Sequence, residues 1–493
     1  MTKRVLIFAV VALAAFSFAP ELGARMAPAQ GTRTFDSPAR DRFEADQDAM
    51  ASYRPSYPFW QHLFVIPDGS IAFGSERTGR LLVTFPTKGN WTRDAVWEDP
   101  ALADVLAGVT LPANLDRRRD EVARLLQARV GPVVHNPTRG LFLLPNANRY
   151  GGFLREWATI YERFGVPAEI GLAQAVVESG FKGTARSRAR ALGLCQWLLV
   201  NWNQLKRISA PRVIEAYNQT TQAPYCAAYL TILATKYGSF IPALSEHHAG
   251  GTNVGRTLIN GERLGGEDVR EHYFLGGEFV RDLRSLAPRT FKDLYGTYGP
   301  RSALYAEMIF GNITNVERII TTTPQRDIYA MRTPKTLTIA EISRATSLPA
   351  DEIRRFNPAL TKTVPARSDL YLPRYVSTFG PDVSFWHRPM SAAYAEVLGD
   401  FLKLEVPLAE WDSREFDAVL IGFRDRFEAT KTEEGSVMAA TLTFVLRGQR
   451  TSRQGEILAE FRNSDRILRL FDRGKIERDA NLAAQLDSAP RAE

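Results

Sequence analysis

The chain has 493 residues, a length that predicts three or four domains rather than one hydrophobic core. Hydrophobic residues make up 45% of the sequence and charged residues 24%, the balance of a folded globular protein. The formal net charge of +7 is a modest basic excess, which suits a protein that acts near anionic polymers or lipid headgroups. The sequence has no zinc-ligand spacing, no phosphate-binding loop and no concentrated basic and aromatic patch, so nucleic acid is not a predicted partner.

Residues 1–29 have the pattern of a secretory signal peptide. Lys3 and Arg4 precede an apolar run at 5–19, which has the length of a signal core rather than of a membrane span, and the Ala-Pro-Ala sequence at 27–29 offers a cleavage site. The alternative is an uncleaved anchor, and membrane association is expected only through that segment. No cysteine directly follows the apolar run, which argues against a lipoprotein. We therefore expect an exported protein in the periplasm or cell envelope.

The next segment is polar and rich in proline, and it predicts a linker at 30–58. A small α+β module is expected at 59–145, where alternating apolar stretches surround the turn sequence Pro-Asp-Gly at 67–69. The expected elements of this module, in chain order, are strands at 62–66, 70–74 and 80–85 and a helix at 115–128.

A mainly helical domain is expected at 146–322. Gly165 and Pro167 separate its first two helices, and Gly180 ends the second one, which is nearly all apolar. Gly238 ends a later amphipathic helix. The expected helices lie at 153–164, 168–179 and 225–237.

Two further regions complete an α+β multidomain fold class. Residues 326–375 predict a strand, two helices and a closing strand, and Thr338 with Glu341 forms a capping box at the start of the first helix. Apolar residues at helical spacing then predict a helical C-terminal region at 376–493.

Glu178 is the first candidate for chemistry. It lies at the C-terminal end of the apolar helix, where burial and the negative end of the helix dipole both raise the pKa of a carboxyl group. A raised pKa is what a general acid needs near neutral pH. The alternative is a solvated or paired glutamate with no catalytic role.

The residues around Glu178 resemble the signature of the soluble lytic transglycosylase (SLT) domain. Residues 178–181 are Glu-Ser-Gly-Phe, and residues 193–196 are Gly-Leu-Cys-Gln. The family has Glu-Ser-x-Phe, a serine-containing loop and Gly-Leu-Met-Gln at the same spacing. The Tyr-Leu pair at 229–230 also resembles the family's pattern. The resemblance implies a lysozyme-like helical fold and cleavage of peptidoglycan glycan strands.

The same resemblance implies one carboxyl group that acts twice, with no cofactor and no metal. Glu178 would protonate the leaving oxygen of the MurNAc–GlcNAc β-1,4 bond and then deprotonate the muramyl 6-hydroxyl, which yields a 1,6-anhydro sugar. The implied substrate-binding residues are Ser179, Ser187, Gln196, His247, His248 and Tyr305.

The sequence departs from the family pattern at several of these positions. His247 and His248 replace a usual Tyr-Asn pair, Arg190 replaces a usual glycine, and Cys195 replaces a usual methionine. The histidine pair does not indicate a metal site, because adjacent helical residues point apart and no third ligand is evident. Two other functions stay open: a non-catalytic wall-binding scaffold and a lysozyme-like hydrolase.

Residues 326–375 resemble LysM, a small peptidoglycan-binding domain, with Asn357-Pro358 at the family's Asn-Pro position. Sugar contacts are expected from the loops at 333–337 and 357–360. The combination of the two domains resembles the family of membrane-bound lytic murein transglycosylase D. We assign no family resemblance to residues 59–145 and 376–493.

The chain has only two cysteines, Cys195 and Cys226. An oxidising compartment favours a disulfide, and two buried free thiols are the alternative. A disulfide here would close a loop of roughly thirty residues and stabilise the fold by about 3–4 kcal/mol.

Overall fold

The structure is a computed structural model, and the elements that it describes belong to one unit, Asp36–Glu493. The signal peptide predicted at 1–29 lies outside the described residues. None of the described helices combines the length and the apolar character needed to cross a membrane. The described residues are 38–209, 217–296, 302–407, 410 and 413–488.

Helix α1, Pro38–Tyr53, occupies much of the segment predicted as a linker at 30–58, so that prediction is wrong for these residues. Phe43 is buried in the main core, and Asp46 has no exposed surface. Arg270 donates from Nε to the Asp46 carboxylate at 2.7 Å. The helix is held both by buried apolar residues and by polar contacts, and the polar contacts do not show in a pattern of apolar residues.

The N-terminal module contains four antiparallel strands in the order β3-β2-β1-β4. The strand predicted at 62–66 is wrong, because Phe59–Leu63 forms helix α2 and the chain turns after it. A short apolar run does not distinguish a strand from a buried helix, and Leu63 and Phe64 are both fully buried here. The elements are β1 (Ser70–Ser75), β2 (Leu81–Pro86), β3 (Val96–Trp97), helix α3 (Leu115–Val130) and β4 (Val133–Pro137).

Residues 146–322 are mainly helical, as predicted, and their helices pack on two hydrophobic clusters rather than on one. The helix predicted at 168–179 is confirmed with the same bounds. The helix predicted at 225–237 begins earlier, where the Asn218 side chain accepts from the backbone of the first turn. The helices are α4 (Gly140–Tyr150), α5 (Leu154–Arg163), α6 (Ala168–Ser179), α7 (Leu199–Ile208), α8 (Gln219–Tyr237), α9 (Phe240–Ala249), α10 (Gly251–Arg263), α11 (Val269–Leu286), α12 (Pro288–Tyr295) and α13 (Tyr305–Thr322), with a hairpin of β5 (Ala191–Leu192) and β6 (Trp197–Leu198).

The predicted order of strand, helix, helix and strand is confirmed at 326–375. The outer strands β7 and β10 pair antiparallel, and the capping box of Thr338 and Glu341 is formed. A second, two-residue ladder of β8 and β9 was not part of the prediction. The elements are β7 (Tyr329–Arg332), β8 (Leu337–Thr338), α14 (Ile339–Thr346), α15 (Ala350–Phe356), β9 (Thr363–Val364) and β10 (Asp369–Leu372).

The C-terminal region is helical, as predicted, and it packs directly on the central helices. The Phe444 ring stacks on Trp197 of β6 at a centroid distance of 5.3 Å. Buried residues of this region share one core with those of α5 to α9. The helices are α16 (Ala392–Leu402), α17 (Arg414–Ala429), α18 (Glu433–Ser452), α19 (Gln454–Asn463) and α20 (Asp465–Ser488).

Candidate active site

Helix α6 carries Glu178 into a nearly closed environment. The helix is buried along most of its length, and Gly180 ends it in the left-handed conformation with φ 55°. Only 14% of the Glu178 side chain is exposed. Burial raises the pKa of Glu178 to about 7, against the opposing effect of a hydrogen bond from Tyr305. The carboxyl group can therefore exist in both protonation states near neutral pH.

Tyr305, the first residue of α13, is the direct partner of Glu178. Its hydroxyl donates to Glu178 Oε1. Burial and the adjacent carboxyl group raise the pKa of Tyr305 well above its ordinary value, so the hydroxyl keeps its proton. Gln174, one turn before Glu178 on α6, donates to the Tyr305 hydroxyl oxygen at 3.4 Å. Gln174 and Tyr305 thus form a chain of two neutral donors that ends at the Glu178 carboxyl group.

Two histidines at the end of α9 border this group in different ways. His247 Nε2 donates to the Cys195 carbonyl at 2.7 Å and lies 3.8 Å from Glu178 Oε1. Burial lowers the pKa of His247 to about 4, so its ring is neutral at pH 7. His248 is exposed, and its ring stacks on Tyr305 with centroids 4.6 Å apart and an interplanar angle of 11°.

Ser179 and Gln196 form internal contacts in the adjacent hairpin loop. Ser179 Oγ lies 3.2 Å from both the Ala175 and the Leu194 carbonyl oxygens. The Gln196 amide donates to the Ala185 and Gly193 carbonyls at 3.1 and 3.0 Å. The donor groups of both predicted site residues are therefore occupied by backbone, and Gln196 is only partly exposed.

Ser187 lies in the exposed part of the loop that follows α6. Its hydroxyl accepts from the Ala191 backbone N–H at 3.0 Å, which closes the turn. The structure thus brings Glu178, Tyr305, His247 and His248 together, whereas Ser187 makes no contact with these four among the described residues.

Cys195 and Cys226 form a disulfide with an S–S distance of 2.04 Å. The bond joins the loop between β5 and β6 to the middle of α8. Of the two states that the sequence leaves open, the structure has the oxidised one.

Residues 156–267 match the family model of the Transglycosylase SLT domain. The SLT match includes Glu178, both histidines and the disulfide, and it ends before Tyr305. The match confirms the predicted resemblance for these residues and indicates a domain that cleaves glycosidic bonds of peptidoglycan. Because peptidoglycan lies outside the cytoplasm, the domain is expected to act there. The match does not extend to 326–375, where the LysM resemblance stays a prediction. No curated protein matches the chain.

The SLT site is the cluster of Glu178, Tyr305, His247 and His248. Two residues near it were missed as site residues. Gln174 supports Tyr305, and the Tyr229 ring lies 5.8 Å from that of His247. A signal existed for Gln174, because it is the one polar residue in the apolar stretch 170–177 of α6. It lies one helical turn from Glu178, on the same face.

Two cavities lie away from the SLT site. The smaller, of about 250 Å³, lies beside the N-terminal sheet and is lined by Trp60 and His135 among others. The larger, of about 490 Å³, lies between α8, the 326–375 module and α18, where Tyr371 and Trp386 line it. Glu178 lines neither of them. Within the described ranges, no group of three or more His, Cys, Asp or Glu side chains is arranged to hold a metal ion.

Proposed function

We propose that the chain is a lytic transglycosylase that cleaves the MurNAc–GlcNAc β-1,4 bond of peptidoglycan and leaves 1,6-anhydro-MurNAc ends. The observation that carries this proposal is the buried Glu178 carboxyl group, whose pKa is raised to about 7 inside the SLT match. A periplasmic role in cell-wall remodelling follows from the substrate and from the predicted signal peptide.

Glu178 acts first as an acid and then as a base. The protonated carboxyl group gives its proton to the glycosidic oxygen, and the bond from that oxygen to C1 of MurNAc breaks. The Glu178 carboxylate, stabilised by the Tyr305 hydroxyl, then accepts the proton of the muramyl 6-hydroxyl as that oxygen bonds to C1. The carboxyl group is protonated again at the end, and no water is consumed.

The surroundings of Glu178 favour this route over hydrolysis. Ordinary glycoside hydrolases use two carboxyl groups about 5–9.5 Å apart, and the two influence each other's pKa. Burial is the cause that raises the pKa of Glu178, and among the residues that the structure describes no second carboxylate contributes to it. A single acid/base is sufficient when the nucleophile belongs to the substrate.

Other residues are proposed to bind the substrate. His248 offers an exposed ring stacked on Tyr305, the partner of Glu178, while Ser187 and Gln196 lie in the segment between α6 and α7. Residues 326–375 are proposed to bind the cell wall as a LysM-like module. The segment 334–336 is exposed, whereas the Asn357 side chain is buried and bonds Tyr371, so the first loop is the better candidate for sugar contact.

Glu178→Gln tests the main proposal. The amide keeps the shape of the side chain but has no proton to transfer, so turnover of sacculi should fall by at least about 10²–10⁴-fold. Stability should change little, because an amide avoids the cost of burying a charge. Glu169→Gln, at the other end of α6, is the matched control and should keep its activity. Mass spectrometry of the digests identifies the products, and a pull-down on sacculi measures binding.

Three results would separate the candidate functions. Anhydro products that disappear in Glu178→Gln support the lytic transglycosylase. Products with reducing ends would instead identify a hydrolase. Wall binding without any cleavage by the wild type would leave the non-catalytic scaffold. In the same pull-down, exchanging residues 334–336 for Gly-Ser-Gly should weaken binding if the LysM-like module holds the wall.

A further inference from the structure

The loop at 193–196 is tied to two helices of the SLT site. The disulfide of Cys195 fastens it to Cys226 of α8. The Leu194 backbone N–H donates to the Gln222 side chain of α8 at 2.7 Å. On the other side, Ser179 of α6 approaches the Leu194 carbonyl to 3.2 Å. The backbone around Cys195 is therefore fixed relative to the helix that carries Glu178.

His247 fills the space between this loop and Glu178. A carbonyl oxygen can only accept, so Nε2 carries the proton that it donates to the Cys195 carbonyl at 2.7 Å. The distance of 3.8 Å from the same Nε2 to Glu178 Oε1 is too long for a hydrogen bond. The contact of His247 with Glu178 is therefore one of packing, and the hydrogen bond to Cys195 orients the ring.

The surroundings of His247 exclude two other roles for this residue, which are sugar binding and proton transfer. Its side chain is only 5% exposed, which leaves little surface for a sugar contact. Its neighbours from α8, α13 and α9 are Tyr229, Tyr305 and His248. Burial lowers the pKa of the ring to about 4, so it carries no charge and transfers no proton near pH 7.

We propose that His247 is a positioning residue for Glu178, and that the Cys195–Cys226 disulfide holds it in place through the Cys195 carbonyl. The line of contact consists of the disulfide from α8 to the loop at 193–196, the hydrogen bond from His247 of α9 to that loop, and the packing of His247 on the Glu178 carboxyl group. Catalysis then requires the oxidised cysteine pair, although neither sulfur touches the substrate. This proposal rests on the lytic function proposed above.

Four variants test the proposal. His247→Phe keeps the ring but loses the donor, whereas His247→Gln places an amide N–H near the position of Nε2. Cys195→Ala/Cys226→Ala removes the disulfide. His272→Phe is the matched control, since His272 Nε2 donates to the Gly266 carbonyl at 2.9 Å in another part of the fold. All four are measured for kcat and KM on isolated glycan strands.

The expected result is a loss of kcat without a loss of binding. Small misplacements of a catalytic group can cost up to about 10²-fold, so His247→Phe and the cysteine variant should each lower kcat by about 10- to 100-fold. KM should stay within about two-fold, and His247→Gln should recover most of the activity. Combining His247→Phe with the cysteine variant should lower kcat no further than the more severe of the two alone, because both break the same line of contact.

Other results would overturn the proposal. A rise in KM at constant kcat identifies a sugar contact, and independent multiplication of the two losses shows that His247 and the disulfide act separately. Unchanged kcat in the cysteine variant removes the disulfide from the mechanism. If the cysteine variant fails to fold, the proposal is tested by His247→Phe, which keeps the disulfide, and by the recovery of activity in His247→Gln.

A second measurement separates this proposal from the lytic function. ¹³C NMR of protein labelled at the glutamate carboxyl carbon follows the titration of Glu178, whose signal is absent in Glu178→Gln. The titration midpoint should fall in His247→Phe and in the cysteine variant, because water reaches the carboxyl group, and it should stay unchanged in His272→Phe. If wild-type protein cleaves nothing, the lytic function fails while this titration still tests the positioning. A titration midpoint in His247→Phe equal to that of the wild type would refute the positioning role of His247.

Discussion

Tyr305 controls the proton of Glu178 through one hydrogen bond. Its hydroxyl donates to the carboxyl group and so opposes the effect of burial, and the net result is a Glu178 pKa raised to about 7. In Tyr305→Phe the pKa of Glu178 should rise further, and the acid form should persist to higher pH. The alkaline limb of the kcat profile should therefore move to higher pH.

Tyr305→Phe should also lower the maximal kcat. In the proposed mechanism, the carboxylate formed in the first step loses a hydrogen bond, and a bond to a charged group is worth about 1.5–3 kcal/mol, which corresponds to about 10- to 150-fold. Tyr273→Phe is the control, because that buried hydroxyl bonds Ser245 instead. A pH–rate profile measures both effects, and an alkaline limb at the wild-type position would contradict the assignment of Tyr305.

At the scale of single residues, the local sequence pattern predicts Glu178 as the candidate acid but does not predict which residues hold it in place. The apolar sequence of α6 predicts that the Glu178 pKa is raised, and burial is the cause that the structure gives. The same reasoning assigns His247 to the substrate, whereas the structure buries it against Cys195. The cysteine pairing stays open in the sequence, since it depends on how a hairpin loop meets α8.

At the scale of elements, two helix ends offer a matched comparison. Gly180 ends α6 and Gly238 ends α8, both in the left-handed conformation, with φ 55° and 67°. A Cβ at Gly238 meets nothing within 4 Å, whereas one at Gly180 overlaps the Phe142 carbonyl oxygen. Gly238→Ala should therefore cost about 1–2 kcal/mol from backbone strain alone. In Gly180→Ala the overlap should add about 1–3 kcal/mol to a similar strain.

Urea denaturation of the two variants measures this difference in the free energy of unfolding. Equal destabilisation would mean that α4, which carries Phe142, yields at no cost. The predicted additional loss of stability in Gly180→Ala, at the end of the helix that carries Glu178, would then be wrong.

Helices with strong end signals are the elements that the sequence predicts well. The bounds of α6 are correct because Pro167 and Gly180 mark them and the residues between are apolar. Helix α1 was missed, because its buried apolar residues are few and contacts such as that of Asp46 with Arg270 are invisible in a hydrophobic pattern. The apolar run at 62–66 was too short to reveal its period.

At the scale of the whole molecule, the predicted regions share contacts that no local pattern contains. The ring of Phe356 in the 326–375 module lies 4.8 Å from that of Phe153, which directly precedes α5. Asn218, which caps α8, donates to the Phe356 carbonyl. The order of elements could be predicted for parts of the chain such as 326–375, but the mutual packing of the regions depends on residues more than a hundred positions apart.

The buried ion pair of Arg163 and Glu434 joins α5 to α18, and only 10% and 6% of the two side chains are exposed. Arg163 Nε donates to Glu434 at 3.0 Å, and its Nη1 donates to the Arg388 carbonyl at 2.8 Å. Glu434→Gln leaves the guanidinium buried without its counter-charge. Breaking such a pair costs about 3–5 kcal/mol.

Because α5 and α18 share one core, Glu434→Gln should lower the stability of the SLT region and the C-terminal region together. Thermal unfolding should then show one transition at a lower Tm, followed equally by tryptophan fluorescence and by loss of glycan cleavage. Glu456→Gln breaks the pair with Arg453 at the start of α19, where 66% and 73% of the two side chains are exposed, and it should leave the Tm almost unchanged. Two separate transitions in Glu434→Gln, with cleavage retained through the first, would show that the C-terminal helices unfold without affecting the active site.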